Sequence, residues 1–134
     1  MWFKRQPSAD INAKDPAVRS AAAKRLNDLV VLRATYESDR DRGVRETARA
    51  RYRHLLAGGD ALDLAHRRAA LHACHDAQIV AHVARSAREP ELRALAIERI
   101  DEPALLREVC AHDPDPSIVE QARGRLAWLG FERE

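Results

Sequence analysis

The sequence predicts an all-α protein built from short two-helix repeats, and two observations carry this prediction. Ala, Leu and Arg dominate the 134 residues, aromatic residues make up 4%, and no stretch alternates between apolar and polar residues. One residue pattern also returns along most of the chain, which is typical of repeat proteins. A chain of this length is expected to form one domain with a sizeable core.

The most complete copy of the pattern lies at residues 89–113. It contains an acid, a proline, an apolar residue followed by arginine, a small-residue helix, a second proline and a second short helix that ends in aspartate. Residues 15–134 form the predicted repeat domain, and residues 1–14 precede it as an N-terminal segment. The copies begin at Asp15, Asp41, Asp63, Glu89 and Asp115, at spacings of 26, 22, 26 and 26 residues.

Each conserved position within the pattern has a physical role, counting the acid as position 1. The acid is expected to cap the first helix, and proline often follows at the first helical position, where its missing N–H is not needed. Positions 4, 8 and 12 share one helical face, and a small residue in its middle lets neighbouring helices approach closely. Position 8 holds Ala22, Ala48, Ala70, Ala96 and Ala122, and position 12 holds Leu26, Tyr52, Cys74, Ile100 and Leu126.

Position 5 is arginine in four of the five copies, at Arg19, Arg45, Arg67 and Arg93. Such an arginine can pair with the acid that starts its own helix, or with the acid that starts the next copy. In a stacked array, these pairs would form a ladder along the molecule.

Second helices are predicted at residues 28–37, 76–87 and 103–111. The second copy is abbreviated, because Gly58 and Gly59 end its helix early. In the fifth copy, the first helix is expected to run to about Leu129, and no second helix follows. Its apolar end, with Trp128 and Phe131, either folds back as a cap or docks on a partner, a second copy or a continuation of the chain.

The motif D-x-x-V-R-x-x-A at residues 15–22 and 41–48, with a second helix carrying Pro103, Leu105 and Leu106, resembles the HEAT-like repeat superfamily. The short period is similar to that of leucine-rich repeat variant proteins. The resemblance covers about residues 15–126 and implies a right-handed α-solenoid of about five two-helix repeats that serves as a scaffold or protein-binding surface. Some leucine-rich variant proteins bind an iron–sulfur cluster through cysteines, but this chain lacks a cysteine cluster, so no cofactor is expected.

Charge is distributed unevenly along the chain, although the net charge is only +2. Residues 1–88 contain 17 Lys and Arg against 10 Asp and Glu, whereas residues 89–134 contain 6 against 11. This asymmetry fits an anionic partner on the first half, head-to-tail self-association, or a solvated surface without a specific role.

The sequence contains no recognisable catalytic constellation, so the protein is predicted not to be an enzyme. His72 and His75 could chelate a metal from one helix, but Cys74 between them occupies an apolar template position and is better interpreted as a core residue. No metal site is therefore predicted.

The leading functional hypothesis is a non-enzymatic protein-interaction or scaffold module, possibly the N-terminal part of a longer bacterial protein. In the superhelix that the resemblance implies, the second helices line the concave face, where polar residues would contact a partner. The alternative is a nucleic-acid-binding module that uses arginines of the first half, where Arg45, Arg49 and Arg53 form a stripe on one predicted helix, with Arg42 before them. The candidate binding residues are Arg33, His82, Arg85 and Arg107 for the concave face, and Arg49 and Arg53 for nucleic acid.

Localisation is predicted from two features of the sequence. The N-terminus, MWFKRQPSAD, lacks the apolar region of a signal peptide, and no apolar run approaches the ~20 residues of a membrane span. A cytoplasmic protein with reduced thiols and no membrane partner is therefore expected.

Overall fold

A computed structural model describes residues 10–59 and 62–131, and these residues form eight α-helices and no strand. The prediction of an all-α protein is confirmed for this part of the chain. Most of the predicted N-terminal segment, residues 1–14, lies outside the described residues. The helices are α1 Pro16–Ala23, α2 Leu29–Ser38, α3 Arg42–Leu56, α4 Leu64–Ala73, α5 Ala77–Ser86, α6 Pro90–Ile97, α7 Pro103–His112 and α8 Pro116–Trp128.

The first helix of each sequence repeat begins directly after the predicted acid. Asp15, Asp41, Asp63 and Asp115 each accept a hydrogen bond from a backbone N–H in the first turn of the following helix. Glu89 makes no such bond, although α6 begins directly after it. The helices α1, α6 and α8 begin at Pro16, Pro90 and Pro116, as predicted.

The core contains all five residues of template position 12 and four of the five alanines of position 8. Ala22, Ala48, Ala96 and Ala122 are completely buried, whereas Ala70 is only half-buried. The exception arises in α4, where position 4 is the exposed His66 instead of an aliphatic residue. This helix buries the adjacent stripe that contains Leu71, so Ala70 lies at the edge of the buried face.

The described chain divides into two compact units with the boundary between Leu55 and Leu56, at the last residue of α3. Gly58 follows with a φ of +115°, a conformation that favours glycine. A Cβ atom at this position would lie 2.6 Å from the Cβ of Arg88. The Arg88 N–H also donates to the Ala57 carbonyl at 2.8 Å, so glycine permits a close approach within the C-terminal unit.

In the C-terminal unit, each helix packs against the helix two positions along the chain. Helix α4 contacts α6, α6 contacts α8, and α5 contacts α7. Helices adjacent in the chain also pack against each other, α5 against α6 and α7 against α8. The first helices of successive sequence repeats therefore neighbour one another, and so do the second helices of the third and fourth repeats.

In the N-terminal unit, an aromatic contact joins α2 to α3. The rings of Tyr36 and Tyr52 meet edge to face, with centroids 5.3 Å apart and an interplanar angle of 61°. Tyr52 is completely buried, as template position 12 predicts, and Leu32 on α2 is also completely buried.

The C-terminal end of α8 is capped by its own backbone. Gly130 has a φ of +89° and donates to the Ala127 carbonyl, and Phe131 donates to the Leu126 carbonyl, which together form a Schellman motif. Trp128 is 75% exposed with the Arg125 guanidinium 4.8 Å above its ring centre, and Phe131 is 48% exposed. These exposures do not fit the first of the two alternatives, in which Trp128 and Phe131 fold back as a cap.

Candidate functional site

Two buried arginines make matching hydrogen bonds, one in each compact unit. Arg19 donates from Nε to Asp39 Oδ2 at 2.9 Å and from Nη2 to Oδ1 at 3.2 Å. Arg93 makes the same two bonds to Asp113 at the same distances. Every side chain in these pairs is at most 10% exposed. This parallel two-bond geometry is the strong form of an arginine–carboxylate pair.

The same guanidinium groups also bind backbone carbonyls in the loop before their own helix. Arg19 Nη1 donates to the Ala13 carbonyl at 2.8 Å, and Arg93 Nη1 donates to the Ala87 carbonyl at 2.7 Å. Arg45 Nη1 makes the corresponding bond to the Asp39 carbonyl at 2.6 Å. Arg19 and Arg93 thus connect the loop before a sequence repeat to the loop after it.

The acid partner differs from the one that the sequence suggested. Asp39 and Asp113 lie two residues before Asp41 and Asp115, the acids that start the next copies. Asp39 Oδ1 accepts the Asp41 N–H, and Asp113 Oδ1 accepts the Asp115 N–H, each at 2.9 Å. These local bonds orient each carboxylate toward the arginine on the first helix of the preceding repeat.

In the third repeat, the aspartate of the two-bond pair is missing. Ala87 occupies the position that holds Asp39 in the first repeat and Asp113 in the fourth. Arg67 is still buried, at 4% exposure, and its Nη1 lies 3.9 Å from Glu89 Oε1. Glu89 is the acid that starts the next copy, so here the predicted partner is the observed one. The longer distance makes this pair weaker than the two-bond pairs.

The Asp39 carboxyl group has a shifted pKa. Burial raises it, but hydrogen bonds from the Arg19 side chain and the Asp41 N–H, together with the charges of Arg19 and Arg40, lower it by more. The net result is a pKa below the ordinary value of 3.8. The ionised carboxylate is therefore favoured in the folded protein.

We expect Asp39→Asn to lower the free energy of unfolding by about 1–2 kcal/mol at neutral pH, because it removes a charge-assisted bond to Arg19. The folded-state pKa lies below the unfolded value of about 3.9, so the ionised group stabilises the fold above that value. This contribution disappears as pH falls through the folded-state pKa. Urea denaturation of the wild type and of Asp39→Asn, near neutral pH and in acid, should show that the difference between their free energies of unfolding narrows in acid.

The control for this experiment is Glu120→Gln, which removes an exposed carboxylate in an ion pair with Arg123. It should change the stability by less than about 0.5 kcal/mol. A difference between wild type and Asp39→Asn that stays constant in acid would contradict the role of the ionised Asp39 carboxylate.

A second set of arginines, which the sequence interpretation missed, occupies template position 11. Arg51 Nε donates to the Leu26 carbonyl at 2.9 Å, and Arg125 Nε donates to the Ile100 carbonyl at 3.1 Å. Arg99 binds the Leu71 and Cys74 carbonyls. Each arginine therefore binds carbonyls at the end of the preceding repeat's first helix. The signal was present, since this position is arginine at Arg25, Arg51, Arg99 and Arg125.

The predicted concave-face residues lie in both compact units. In the C-terminal unit, Arg85 on α5 forms an ion pair with Glu108 on α7, next to the exposed Arg107. His82 lies on α5, one turn before Arg85, and is half-buried. Arg33 belongs to the N-terminal unit, where its Nη1 lies 3.9 Å from Glu37 Oε1. The structure therefore places His82, Arg85 and Arg107 on two helices in contact, and a shallow pocket of about 260 Å³ opens beside Arg85.

The predicted arginine stripe on α3 is largely engaged within the protein. Arg42 pairs with Glu46 at 2.9 Å, and Arg45 binds the Asp39 carbonyl. Arg49 is half-buried, and Arg53 is exposed.

Cys74 is completely buried, as its interpretation as a core residue predicts. His72 and His75, on either side of it in the sequence, are exposed. Cys110 is half-buried, with its Sγ 3.8 Å from the Val119 carbonyl oxygen. Among residues 10–59 and 62–131, no group of three or more His, Cys, Asp or Glu side chains is placed to hold a metal ion.

An open groove of about 590 Å³ lies in the N-terminal unit, between the end of α1 and one face of α3. The residues that line it include Lys24, Gly43, Glu46, Thr47, Arg51 and His54.

Comparisons of the chain with protein-family models, with curated proteins and with solved structures found no significant match. In the described part of the chain, every helix is too short or too polar to cross a membrane.

Proposed function

We propose that the chain is a HEAT-like repeat protein, a right-handed α-solenoid of about five short two-helix repeats, that acts as a non-enzymatic protein-interaction or scaffold module. The observation that carries this proposal is the recurrence of one hydrogen-bond set. Arg19 with Asp39 and Arg93 with Asp113 use the same atoms at the same sequence separation. Recurrence of a detailed contact at equivalent sequence positions is what a structural repeat requires.

The packing of the C-terminal unit supports the same proposal. Contacts between α4 and α6, α6 and α8, and α5 and α7 are those of successive two-helix repeats stacked side by side. A two-helix repeat cannot bury its apolar face alone, so it must pack against its neighbour. Position-11 arginines support the same arrangement, because Arg51 and Arg125 donate to carbonyls at the end of the preceding repeat's first helix.

The distribution of charge favours a protein partner over nucleic acid. Nucleic-acid affinity depends mainly on cations that reach phosphates; Arg45 of the predicted stripe is half-buried and bound to the Asp39 carbonyl, and the exposed Arg42 pairs with Glu46. Arg68 likewise pairs with Glu91 at 2.7 Å. The surface of α5 and α7 offers both signs of charge, at Arg85, Arg107 and Glu108, which suits a mixed protein surface.

Affinity purification from an extract of the source organism tests the proposed role. The tagged wild-type chain is compared with Arg85→Glu combined with Arg107→Glu, and bound proteins are quantified by mass spectrometry. We expect a defined set of proteins to be depleted by at least about fivefold with the double variant. The matched control combines Arg42→Glu with Arg123→Glu, which also reverses two exposed arginines.

The protein-binding role would be excluded under these conditions if the wild-type chain enriched no protein more strongly than an unrelated bait of similar size and charge. Equal depletion by both double variants would show that α5 and α7 do not form the binding surface.

A further inference from the structure

We infer that one copy of this chain binds a second copy head to tail, with α8 of one copy packed against α1 of the other. This inference rests on the repeat stacking proposed above and concerns a surface separate from the α5 and α7 surface tested there. Three observations support it: an arginine of α1 that lacks the acceptors of its equivalents, an exposed face of α8, and a match in size and charge between the two faces.

The first observation concerns Arg25, which occupies template position 11 in the first repeat. Its equivalents Arg51 and Arg125 donate to carbonyls at the end of the preceding repeat's first helix. Arg25 is exposed, and its side chain makes no hydrogen bond or ion pair with any described residue. Since Arg51 reaches from α3 toward the end of α1, the equivalent position on α1 lies on the side away from α3. The end of another first helix at that side would offer Arg25 the same kind of acceptor.

The second observation is the exposed face of α8 that corresponds to a junction in the preceding repeat. In the fourth repeat, template position 13 faces α8, since Asp101 pairs with Arg125. Position 6 faces the same way, since the Ala94 carbonyl accepts a hydrogen bond from a side chain of α8. The equivalent residues of the fifth repeat are Glu120 and Ala127, and both are exposed. The face of α8 that would meet a following first helix is therefore open among the described residues.

The middle and the C-terminal end of this α8 face suit contact with another helix. Gly124, one turn after Glu120, is exposed, and outside its own helix a Cβ atom there would meet no atom within 4 Å. A second helix can therefore approach the α8 backbone closely. Trp128 follows at the end of the face and is 75% exposed, so its ring can stack on an arginine of the second copy. Tryptophan and arginine are enriched among the residues that dominate binding at protein interfaces.

The third observation is that α1 matches this face in size and charge. Ala17 and Ala21 lie two turns and one turn before Arg25, on the same side of α1, and are exposed and half-buried. Lys14, one turn before Ala17, is also exposed, and its side chain makes no bond to a described residue. The half of the chain that contains α1 is basic, and the half that contains α8 is acidic. Charge therefore favours contact between unlike faces over contact between like faces.

Sedimentation velocity over a range of protein concentrations tests this inference. We expect the wild-type chain to form species larger than a dimer as concentration rises, because each added chain leaves one α1 face and one α8 face free. Association should weaken several-fold as salt rises from about 50 to about 200 mM. Arg25→Glu and Gly124→Gln should each weaken it by at least about tenfold. Both variants should fold, because Arg25 has no side-chain bond to lose and position 124 has room for a side chain.

The matched controls alter similar residues outside the two faces. Arg53→Glu reverses another exposed arginine of the N-terminal unit, and Ala111→Gln enlarges another exposed small residue of the C-terminal unit. Both controls should associate like the wild type.

A mixing experiment distinguishes a head-to-tail contact from a symmetric one. The Arg25→Glu chain keeps an intact α8 face, and the Gly124→Gln chain keeps an intact α1 face. We expect an equal mixture of the two to form one-to-one heterodimers and no larger species, whereas each variant alone stays monomeric at the same total concentration.

Four results would overturn the inference: a wild-type chain that stays monomeric at about 1 mM and low salt, wild-type association that stops at a dimer, equal loss with the variants and their controls, or a mixture that stays monomeric. These readouts use the purified chain alone and do not involve Arg85 or Arg107. This inference and the proposed function therefore fail on different measurements.

Discussion

Replacing Arg93 with alanine is expected to lower the free energy of unfolding by about 3–5 kcal/mol. The Arg93 and Asp113 side chains are 9% and 4% exposed, so the substitution leaves a buried carboxylate without its counter-charge. It also removes the donor to the Ala87 carbonyl. Urea denaturation followed by circular dichroism measures the change. The control Arg42→Ala breaks an ion pair whose side chains are 84% and 65% exposed and should cost less than about 0.5 kcal/mol.

A double-mutant cycle separates the Arg93–Asp113 pair from the other bonds of these residues. Combining Arg93→Ala with Asp113→Ala should cost clearly less than the sum of the two single changes, because neither charge is then left unpaired. A loss below about 1 kcal/mol for Arg93→Ala, or strict additivity in the cycle, would contradict the structural role of the pair.

Replacing Ala96 with leucine is expected to cost about 2–3 kcal/mol, because the alanine is completely buried between packed helices. The added side chain forces neighbouring residues or the backbone to shift. Ala70→Leu is the matched comparison, since Ala70 occupies the same template position but is only half-buried. Its leucine variant should change stability by less than about 1 kcal/mol. Thermal and urea denaturation of both variants provide the measurement.

Equal losses at Ala96 and Ala70 would contradict this interpretation. That result would mean that the half-buried edge of α4 is packed as tightly as the α6 interior, and that position 8 has one environment in every repeat.

Helix boundaries could be predicted closely because their signals are local. The second helix predicted at residues 28–37 is observed at Leu29–Ser38, and the one predicted at 103–111 is observed at Pro103–His112. An N-cap acid satisfies N–H groups within three residues, so the chain itself identifies the start of each helix. Gly58 was similarly identifiable, because a positive φ after a helix favours glycine.

The candidate sites could be predicted only in part, because they depend on residues far apart in sequence. Arg51 was missed since its acceptors, Leu26 and Asn27, come from the preceding repeat. The bond of Arg45 could not be predicted, because the spacing of Arg45 and Arg49 describes one helix and does not reveal the Asp39 carbonyl beside Arg45. Lys24 and His54 line the same groove, but the sequence could not predict this because they lie in different repeats.

The sequence by itself determined the helical class, the starts of the first helices and the residues of position 12 that form the core. These features depend on periodicity, capping and backbone conformation, which act over a few residues. Only the tertiary structure decided that Arg19 binds Asp39, that Ala70 lies at an edge, and which cations stay exposed. Such outcomes depend on distances between helices about 20 or more residues apart in the chain, and these are set by side-chain packing.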